Sequence, residues 1–274
     1  MLALKLGLSL VSSNAGGAAG TFFLDEYSGA AVAYSLRKLS SSTTNVIRVR
    51  ESGANAEQDF SSSEITDGTL TTFTGSNDGF VTTWYDQSGS DNNAVQTTAI
   101  NQPKIVSSGV VELENGLPAL NFDGINDNLD ITSANVGSTF FASLVYRSNR
   151  TSSEDYIVVG DGLASRIRLY STQIRTYINS ATYTFAATSG FGVQYIYQFE
   201  SDDSKAYITY RNSIALGIAQ SIPSVDSFIV DNIGYGTTVR AANGLMQEII
   251  LYATEQNANR VGMTTDVNNF YSIY

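Results

Sequence analysis

The chain has 274 residues, 42% of them hydrophobic, and a formal net charge of −11, so it can bury a substantial core. It contains no Cys and no His, which excludes disulfides, thiolate chemistry, serine–histidine triads and ordinary zinc hydrolases. Its four lysines are scattered, and no basic patch is visible that could neutralise phosphates or anionic lipids. We therefore expect neither nucleic-acid nor membrane binding.

Residues 1–20 are predicted to form an attachment arm. Leucines alternate with other residues, as in an extended strand that could add to the edge of a neighbour's sheet: Leu2, Leu4, Leu6, Leu8 and Leu10. Residues 12–20 are small and form a linker. The alternative is a flexible tail. The apolar run is short and Lys5 interrupts it, so we do not expect a signal peptide.

The spacing of Val32, Leu36 and Leu39 places them on one helical face and predicts an N-terminal helix over residues 27–39. This helix would belong to an N-terminal part, residues 21–118, that precedes a jelly roll over residues 119–274.

The next elements are predicted strands. Ile47 and Val49 alternate with Arg48 and Arg50. The arginine pair could clamp a carboxylate or phosphate, but we favour a solvated face that pairs with nearby Asp or Glu. Residues 80–86, FVTTWYD, form a further strand because β-branched and aromatic residues crowd a short run.

Leu120 and Phe122 form the next predicted strand, and Leu129 and Ile131 resume the alternation after an acidic loop. From Phe140 onward, short strands recur about every ten residues with turn signals between them. No parallel strand–helix–strand rhythm is present. The pattern predicts an all-β sandwich with polar loops gathered at one end.

The C-terminal residues predict a short helix. Thr254 is a candidate N-cap, and Glu255 follows in the first turn. Met263, Val267 and Tyr271 then recur at helical spacing, so the helix should pack its aromatic end on the sandwich.

Several motifs carry a resemblance to a known family. WYDQSG, NQPKIV and GLPALNFDG, at residues 84–89, 101–106 and 116–124, resemble the arabinofuranosidase B catalytic domain, glycoside hydrolase family 54. AYSLRKL, VIRVRES and NAEQDF fit the same pattern upstream. NFDGINDNLDI also resembles the opening strand pair of a concanavalin A-like, laminin-G-like jelly roll. The C-terminal GLMQEIILY resembles the last core strand of such a jelly roll. The resemblance implies a concanavalin A-like jelly-roll β-sandwich.

The same motif series recurs in virion proteins of tailed bacteriophages. The resemblance to family 54 implies a catalytic pair of carboxylates. The sequence does not indicate which two converge, and the candidates are Asp86, Asp91, Glu112, Glu114, Asp123, Asp127, Asp130, Asp161, Glu200, Asp202, Asp203, Asp231 and Glu248. The family's nucleophile lies in an acidic motif followed by Asn; Glu114-Asn115 is the nearest match, in a different context. The absence of Cys is a further departure from that family. We therefore assign no catalytic residue.

A carbohydrate site is predicted at the aromatic and acidic residues of this stretch: Trp84, Tyr85, Asp86, Asp123, Asn126 and Asp127. Each has a structural alternative, because a lone Trp in an alternating strand is often core and Asp often closes a turn. The clustered Asp and Asn oxygens could instead bind Ca²⁺, and no other cofactor is expected.

Three functions remain in view. The first is a structural protein of a phage virion, such as a capsid decoration, head fibre or tail appendage, located on the particle surface or otherwise extracellular. It would contact other virion proteins through the arm, form a homo-oligomer such as a trimer, and present a lectin-like domain to glycans. The second is an arabinofuranosidase-like hydrolase that uses two carboxylates. The third is a carbohydrate-binding module without catalysis.

Overall fold

The structure is a computed structural model that describes residues 21–152, 154–187, 190–234 and 241–274. The predicted arm and its leucines, residues 1–20, lie outside the described residues. Over the described ranges the chain is mostly antiparallel strand, which confirms the all-β sandwich prediction. None of the helices in these ranges is long and apolar enough to cross a membrane.

The strands, in chain order, are β1 (Val32–Ser35), β2 (Ile47–Glu51), β3 (Glu57–Phe60), β4 (Gly79–Trp84), β5 (Ala94–Val95), β6 (Lys104–Ser107), β7 (Val110–Val111), β8 (Leu113–Glu114), β9 (Leu117–Pro118), β10 (Leu120–Asp123), β11 (Leu129–Gly137), β12 (Phe140–Ser148), β13 (Asp155–Gly160), β14 (Ser165–Leu169), β15 (Gln173–Ile178), β16 (Ala181–Ala186), β17 (Gln194–Ser201), β18 (Ala206–Arg211), β19 (Ile214–Ala215), β20 (Gln220–Ser221), β21 (Phe228–Ile233) and β22 (Asn243–Tyr252). The α-helices are α1 (Phe23–Glu26), α2 (Thr69–Thr74) and α3 (Arg260–Tyr271), and 3-10 turns span Ala99–Asn101 and Asp161–Leu163.

Strand β4 belongs to both layers of the sandwich. One of its edges pairs with β2. The other edge splits, because Thr83 lies opposite Val95 of β5 whereas Phe80 lies opposite Lys104 of β6. From β5 the first layer continues through β11, β21, β13, β14 and β15 to β16. From β6 the second layer continues through β10, β22, β12 and β17 to β18.

The main core lies between the two layers, because successive side chains of a strand point to opposite faces. Both layers contribute fully buried side chains to it, including Phe122, Leu129, Leu144, Val158, Ile167 and Ile249. The alternation predicted for β2, β10 and β11 is observed, with polar residues on the outer face. Arg48 pairs with Asp59 at 2.8 Å, which confirms the preferred interpretation of that arginine.

The helix predicted over residues 27–39 is wrong. Val32–Ser35 is instead strand β1, which pairs antiparallel with β22 from Val32 opposite Leu251 to Ser35 opposite Glu248. The strand is buried on both faces: Val32 enters the main core and Ala33 enters a second cluster. Residues buried on both sides lose the period-two signature of a strand, which is why the apolar spacing matched a helix.

The C-terminal helix exists, but Thr254 is not its N-cap. Helix α3 begins at Arg260, with Asn259 in the N-cap position. Met263, Val267 and Tyr271 are buried in the second cluster, which lies on the outer side of the second layer. The helix therefore covers a face of β17 and β22 that would otherwise be exposed and apolar.

Strands from both sides of the predicted boundary at residues 118 and 119 pair with each other. Strand β1 pairs with β22, β6 with β10 and β5 with β11. The two segments thus contribute to shared sheets.

Candidate functional site

A cavity of about 470 Å³ opens near the point where the edge of β4 divides between β5 and β6. We call it the fork pocket. Its lining combines carboxylates, amides, an ammonium and one aromatic ring: Phe80, Ala99, Ile100, Gln102, Lys104, Ser107, Glu112, Asn121, Asp123 and Asp127. The volume lies within the range of small-molecule sites, which usually contain a few convergent polar groups.

Cross-strand register brings the wall residues of the fork pocket together. Phe80 lies opposite Arg50 on one side and Lys104 on the other, and Lys104 lies opposite Asn121. The Phe80 ring centroid is 5.0 Å from the Arg50 guanidinium carbon and 5.4 Å from Lys104 Nζ. Lys104 Nζ also donates to Asp78 Oδ2 at 2.7 Å. The ring and the carboxylate thus hold the ammonium in place at the pocket wall.

Asp127 is the most perturbed acid in the fork pocket. Its side chain is buried, and its Oδ2 accepts a hydrogen bond from the Asp123 backbone N–H at 2.8 Å. Burial raises the pKa of Asp127 to about 7, and the nearby charge of Asp123 acts in the same direction. A carboxyl group with this pKa can donate or accept a proton near neutral pH.

Asp123 and Asn126 shape the loop that carries Asp127. Asp123 Oδ1 accepts hydrogen bonds from the backbone N–H groups of Ile125 at 2.7 Å and Asn126 at 3.3 Å, which is an Asx-turn. Asn126 Nδ2 donates to Asn101 Oδ1 at 2.7 Å. The loop is therefore tied to the 3-10 turn on the opposite rim of the pocket.

The other predicted site residues lie elsewhere. Trp84 is fully buried in the main core, so the prediction that it stacks on a sugar is wrong and the core alternative is the one observed. Tyr85 donates to Asp59 Oδ1 at 2.7 Å. Asp86 accepts hydrogen bonds from the backbone N–H groups of Ala33 at 2.8 Å and Asn92 at 3.2 Å, so it ties β1 to the loop after β4.

The six predicted residues thus fall into two groups, and only Asp123 and Asp127 line the fork pocket. Sequence analysis missed Phe80, Gln102, Lys104 and Asn121 as pocket residues. All four lie in the stretch that carries the family resemblance, but their proximity depends on the pairing of β4, β6 and β10.

A larger cavity of about 560 Å³ lies beside α1 and α3 and is lined by Phe23, Arg37, Asp266 and Phe270, among others. The Arg37 guanidinium already donates to Glu248 and Asp266. The lining of this cavity includes one carboxylate and no side-chain amide, whereas the fork pocket combines three carboxylates with two amides. The fork pocket is therefore the stronger candidate for a ligand site.

Within residues 21–152, 154–187, 190–234 and 241–274, no group of three or more Asp, Glu, His or Cys side chains is placed to hold a metal ion. Two of the aspartates that were predicted as possible Ca²⁺ ligands, Asp86 and Asp123, accept hydrogen bonds from backbone N–H groups with their carboxylate oxygens.

No protein-family model and no curated protein matches the chain. Among solved structures, it is similar to a GH54 α-L-arabinofuranosidase soaked with a cyclic sulfate inhibitor, with 13% identity, a TM-score of 0.60, and coverage of 89% of this chain and 62% of that chain. It is also similar to an arabinofuranosidase complexed with arabinofuranosyl-α-1,2-xylobiose, with 13% identity, a TM-score of 0.58, and coverage of 89% and 63%. A Trypanosoma rangeli sialidase in complex with the inhibitor DANA gives 12% identity, a TM-score of 0.47, and coverage of 85% and 33%.

The chain thus spans less than two thirds of the length of the arabinofuranosidases. At this level of identity the similarity shows the fold alone. It confirms the fold that the sequence resemblance implied: the chain shares the β-sandwich architecture of GH54 arabinofuranosidases.

Proposed function

We propose that the protein binds a carbohydrate in the fork pocket. The observation that carries this proposal is the convergence of Glu112, Asp123 and Asp127 in one cavity with the amides of Gln102 and Asn121. Carboxylates accept hydrogen bonds from sugar hydroxyls, and an amide such as that of Asn121 both donates and accepts them. The Gln102 amide bonds to Arg50 and to the Gln96 carbonyl and so shapes the pocket wall. The arabinofuranosidases of similar fold, one of them complexed with an arabinofuranosyl-xylobiose, make arabinose-containing oligosaccharides the first ligands to test.

The test is isothermal titration calorimetry with arabinoxylan and arabinan oligosaccharides. We expect Glu112→Gln to weaken binding at least tenfold, because it removes a charged acceptor from the pocket wall. Glu57→Gln on β3 is the matched control, since Glu57 is exposed and outside the pocket. Equal affinity of the Glu112→Gln variant and the unaltered protein would rule out the fork pocket as the site.

A specific observation favours hydrolysis as a second candidate function. The raised pKa of Asp127 suits a general acid, and Glu112 in the same cavity could serve as base or nucleophile. Asp127→Asn should then abolish release of reducing sugar while binding persists. If the unaltered protein releases no sugar from any bound oligosaccharide, binding without catalysis is its function.

The setting in which this domain acts is also a proposal. We infer a structural role on the virion of a tailed phage, because the motif series of about residues 27–131 resembles that of phage virion proteins. The alternating leucines of residues 1–20 would attach the domain to other virion proteins or to further copies of itself. The protein would then be a surface component that presents its carbohydrate site to the surroundings.

Light scattering tests the assembly role. We expect the full chain to form an oligomer and a chain that begins at Thr21 to be a folded monomer. Identical masses for the two proteins would contradict an assembly function for the arm, and loss of folding on truncation would show that residues 1–20 belong to the domain itself.

A further inference from the structure

The outer side of the first layer carries a cluster of arginines and tyrosines. Residues Ile157, Ile167 and Ile174 of β13, β14 and β15 point into the main core, so the residues next to them in sequence point outward. We call this outward cluster the arginine face; its members are Tyr156, Arg166, Arg168, Tyr170, Arg175 and Tyr177. Register places Arg168 opposite both Tyr156 and Arg175, and Arg166 opposite Tyr177.

The tyrosine rings hold the guanidinium groups in fixed positions. The Arg166 guanidinium carbon is 3.4 Å from the centroid of Tyr177, and that of Arg175 is 4.7 Å from the centroid of Tyr170. Arg168 lies within 5.2 Å of the rings of Tyr156, Tyr170 and Tyr177. Stacking of this kind fixes the orientation of a guanidinium group.

Arg168 forms an ion pair with Glu154, whereas the hydrogen-bond partners of Arg166 and Arg175 are neutral. Arg166 donates to the backbone carbonyl of Leu163, and its Nε has no hydrogen-bond partner in the described part of the chain. Arg175 Nη1 donates to the Tyr170 hydroxyl at 3.4 Å.

The side-chain amide of Gln173 also forms hydrogen bonds with Arg175. With the amide oriented to satisfy both groups, its oxygen accepts from Arg175 Nε at 3.1 Å and Nη2 at 2.8 Å. Among the described residues, neither Arg166 nor Arg175 has a carboxylate within ion-pair distance.

The pKa of Tyr177 indicates a positive electrostatic potential at the arginine face. Burial raises the pKa of Tyr177, but its hydrogen bond with Arg175 and the charges of Arg168 and Arg166 outweigh burial, so its pKa lies below the ordinary value. The result is a local excess of positive charge on a protein whose net charge is −11. Glu154 compensates the charge of Arg168, so the uncompensated charge of this face lies on Arg166 and Arg175, where an anion would be favoured.

We propose that the arginine face binds a polysaccharide whose sugar units carry carboxylate groups. Each terminal guanidinium nitrogen has two N–H groups, so Arg166 and Arg175 keep donors for a carboxylate beside the contacts described above. The half-buried ring of Tyr170 offers apolar contact to a sugar. Exposed hydroxyls of Thr182 and Thr184, opposite Tyr177 and Arg175, extend the polar surface onto β16. This inference names the charge of the carbohydrate and rests on the proposed carbohydrate-binding function.

Nucleic acid fits the face less well. Duplex DNA carries one charge per about 1.7 Å, and two unneutralised arginines on a protein of net charge −11 would release few counterions. In an acidic polysaccharide, neighbouring charges lie one sugar unit apart. Two arginines can therefore neutralise the charges of a short segment.

The probe is a pair of oligosaccharides with one backbone: oligogalacturonate and its fully methyl-esterified form. Calorimetry should show at least tenfold tighter binding of the acid than of the ester, with an affinity that falls as salt rises. Arg166→Gln combined with Arg175→Gln should remove this preference. The matched control is Arg48→Gln combined with Arg211→Gln, which changes net charge equally outside the arginine face.

A second variant separates binding from folding. Thr184→Glu places a carboxylate directly opposite Arg175 at an exposed position. It should weaken binding of the acid at least fivefold while the melting temperature stays the same or rises, because the added charge neutralises the arginine. Val261→Glu on α3, exposed and on the other layer, adds the same charge and should leave binding unchanged.

The outcomes distinguish this inference from the proposed function. Equal affinity for acid and ester, with both weakened by Glu112→Gln, overturns the arginine face and leaves the fork pocket standing. Loss of binding in Thr184→Glu but not in Glu112→Gln supports the arginine face and overturns the fork pocket. Duplex DNA that binds as tightly as the acid overturns the choice of a polysaccharide.

Discussion

Arg37 and Glu248 form a buried ion pair, with Arg37 Nε 2.7 Å from Glu248 Oε2 and side-chain exposures of 9% and 1%. The pair joins the segment after β1 to strand β22. Asp266 of α3 accepts a further hydrogen bond from Arg37 at 2.7 Å. Burial alone would lower the pKa of Arg37, but Glu248 raises it above its ordinary value. The charge is therefore retained in the interior.

Glu248→Gln should destabilise the fold by about 3 kcal/mol, because it leaves a buried guanidinium without its main counter-charge. Urea denaturation measures the change in the free energy of unfolding. Glu57→Gln, at an exposed position, should change stability by less than about 0.5 kcal/mol. A loss below about 1 kcal/mol for Glu248→Gln would show that water or Asp266 compensates the charge.

Stability should fall as pH rises toward neutrality because of Asp127. Its pKa is about 7 in the folded state and about 3.8 when unfolded. The folded state therefore binds the proton more tightly, and the stabilisation is fully present below pH 4 and lost as pH rises through 7. Asp127→Asn should reduce this loss by on the order of 2 to 4 kcal/mol, measured by denaturation between pH 4 and 8.

The titration of Asp155 also contributes to the pH dependence of stability and must be separated from that of Asp127. Burial raises its pKa to about 6, so it contributes a loss of the same sign over an overlapping range. The difference between the unaltered protein and the Asp127→Asn variant isolates Asp127. If both proteins show the same pH dependence, Asp127 is ionised in the folded state at neutral pH.

Gly234 should not tolerate a side chain. Its φ is +88°, and a Cβ would lie 2.4 Å from Phe122 Cε1, beside the backbone of Asp127. Gly29 has the same φ but open space around it, so it is a matched control. Gly29→Ala should cost about 1 kcal/mol through backbone strain, and Gly234→Ala at least about 2 kcal/mol more through steric overlap. Thermal melts that show equal losses would mean that Phe122 moves aside freely.

Trp84 serves as an internal probe of the core. It is the only Trp, it is fully buried beside Tyr34, and its Nε1 has no hydrogen-bond partner among the described residues. Its fluorescence should be blue-shifted in the folded protein and shift to the red on unfolding. Trp84→Phe should cost only about 1 to 2 kcal/mol, since it removes an unpaired polar N–H together with packing volume. The Trp84→Phe variant should bind carbohydrate as tightly as the unaltered protein. A tenfold loss of affinity would show that Trp84 contributes to the binding site.

Local pattern predicted those elements whose residues face different environments on their two sides. Strands β2 and β11 alternate because one face is core and the other is solvent. Strand β1 was missed because both of its faces are buried. The fork pocket was only partly predictable, because Asp123 and Asp127 lie in a recognisable acidic loop. Phe80, Lys104 and Asn121 become neighbours only through pairings between strands distant in sequence.

The pairing of β1 with β22 has a consequence for synthesis of the protein. Val32 finds its partner Leu251 only after all the residues between them have left the ribosome. Until then β1 exposes apolar residues and an unpaired edge, which favours aggregation. Folding dominated by such long-range contacts is slow. We expect the domain to complete its second layer only after β22 has been synthesised, so its yield should depend more on expression rate and chaperones than its final stability suggests.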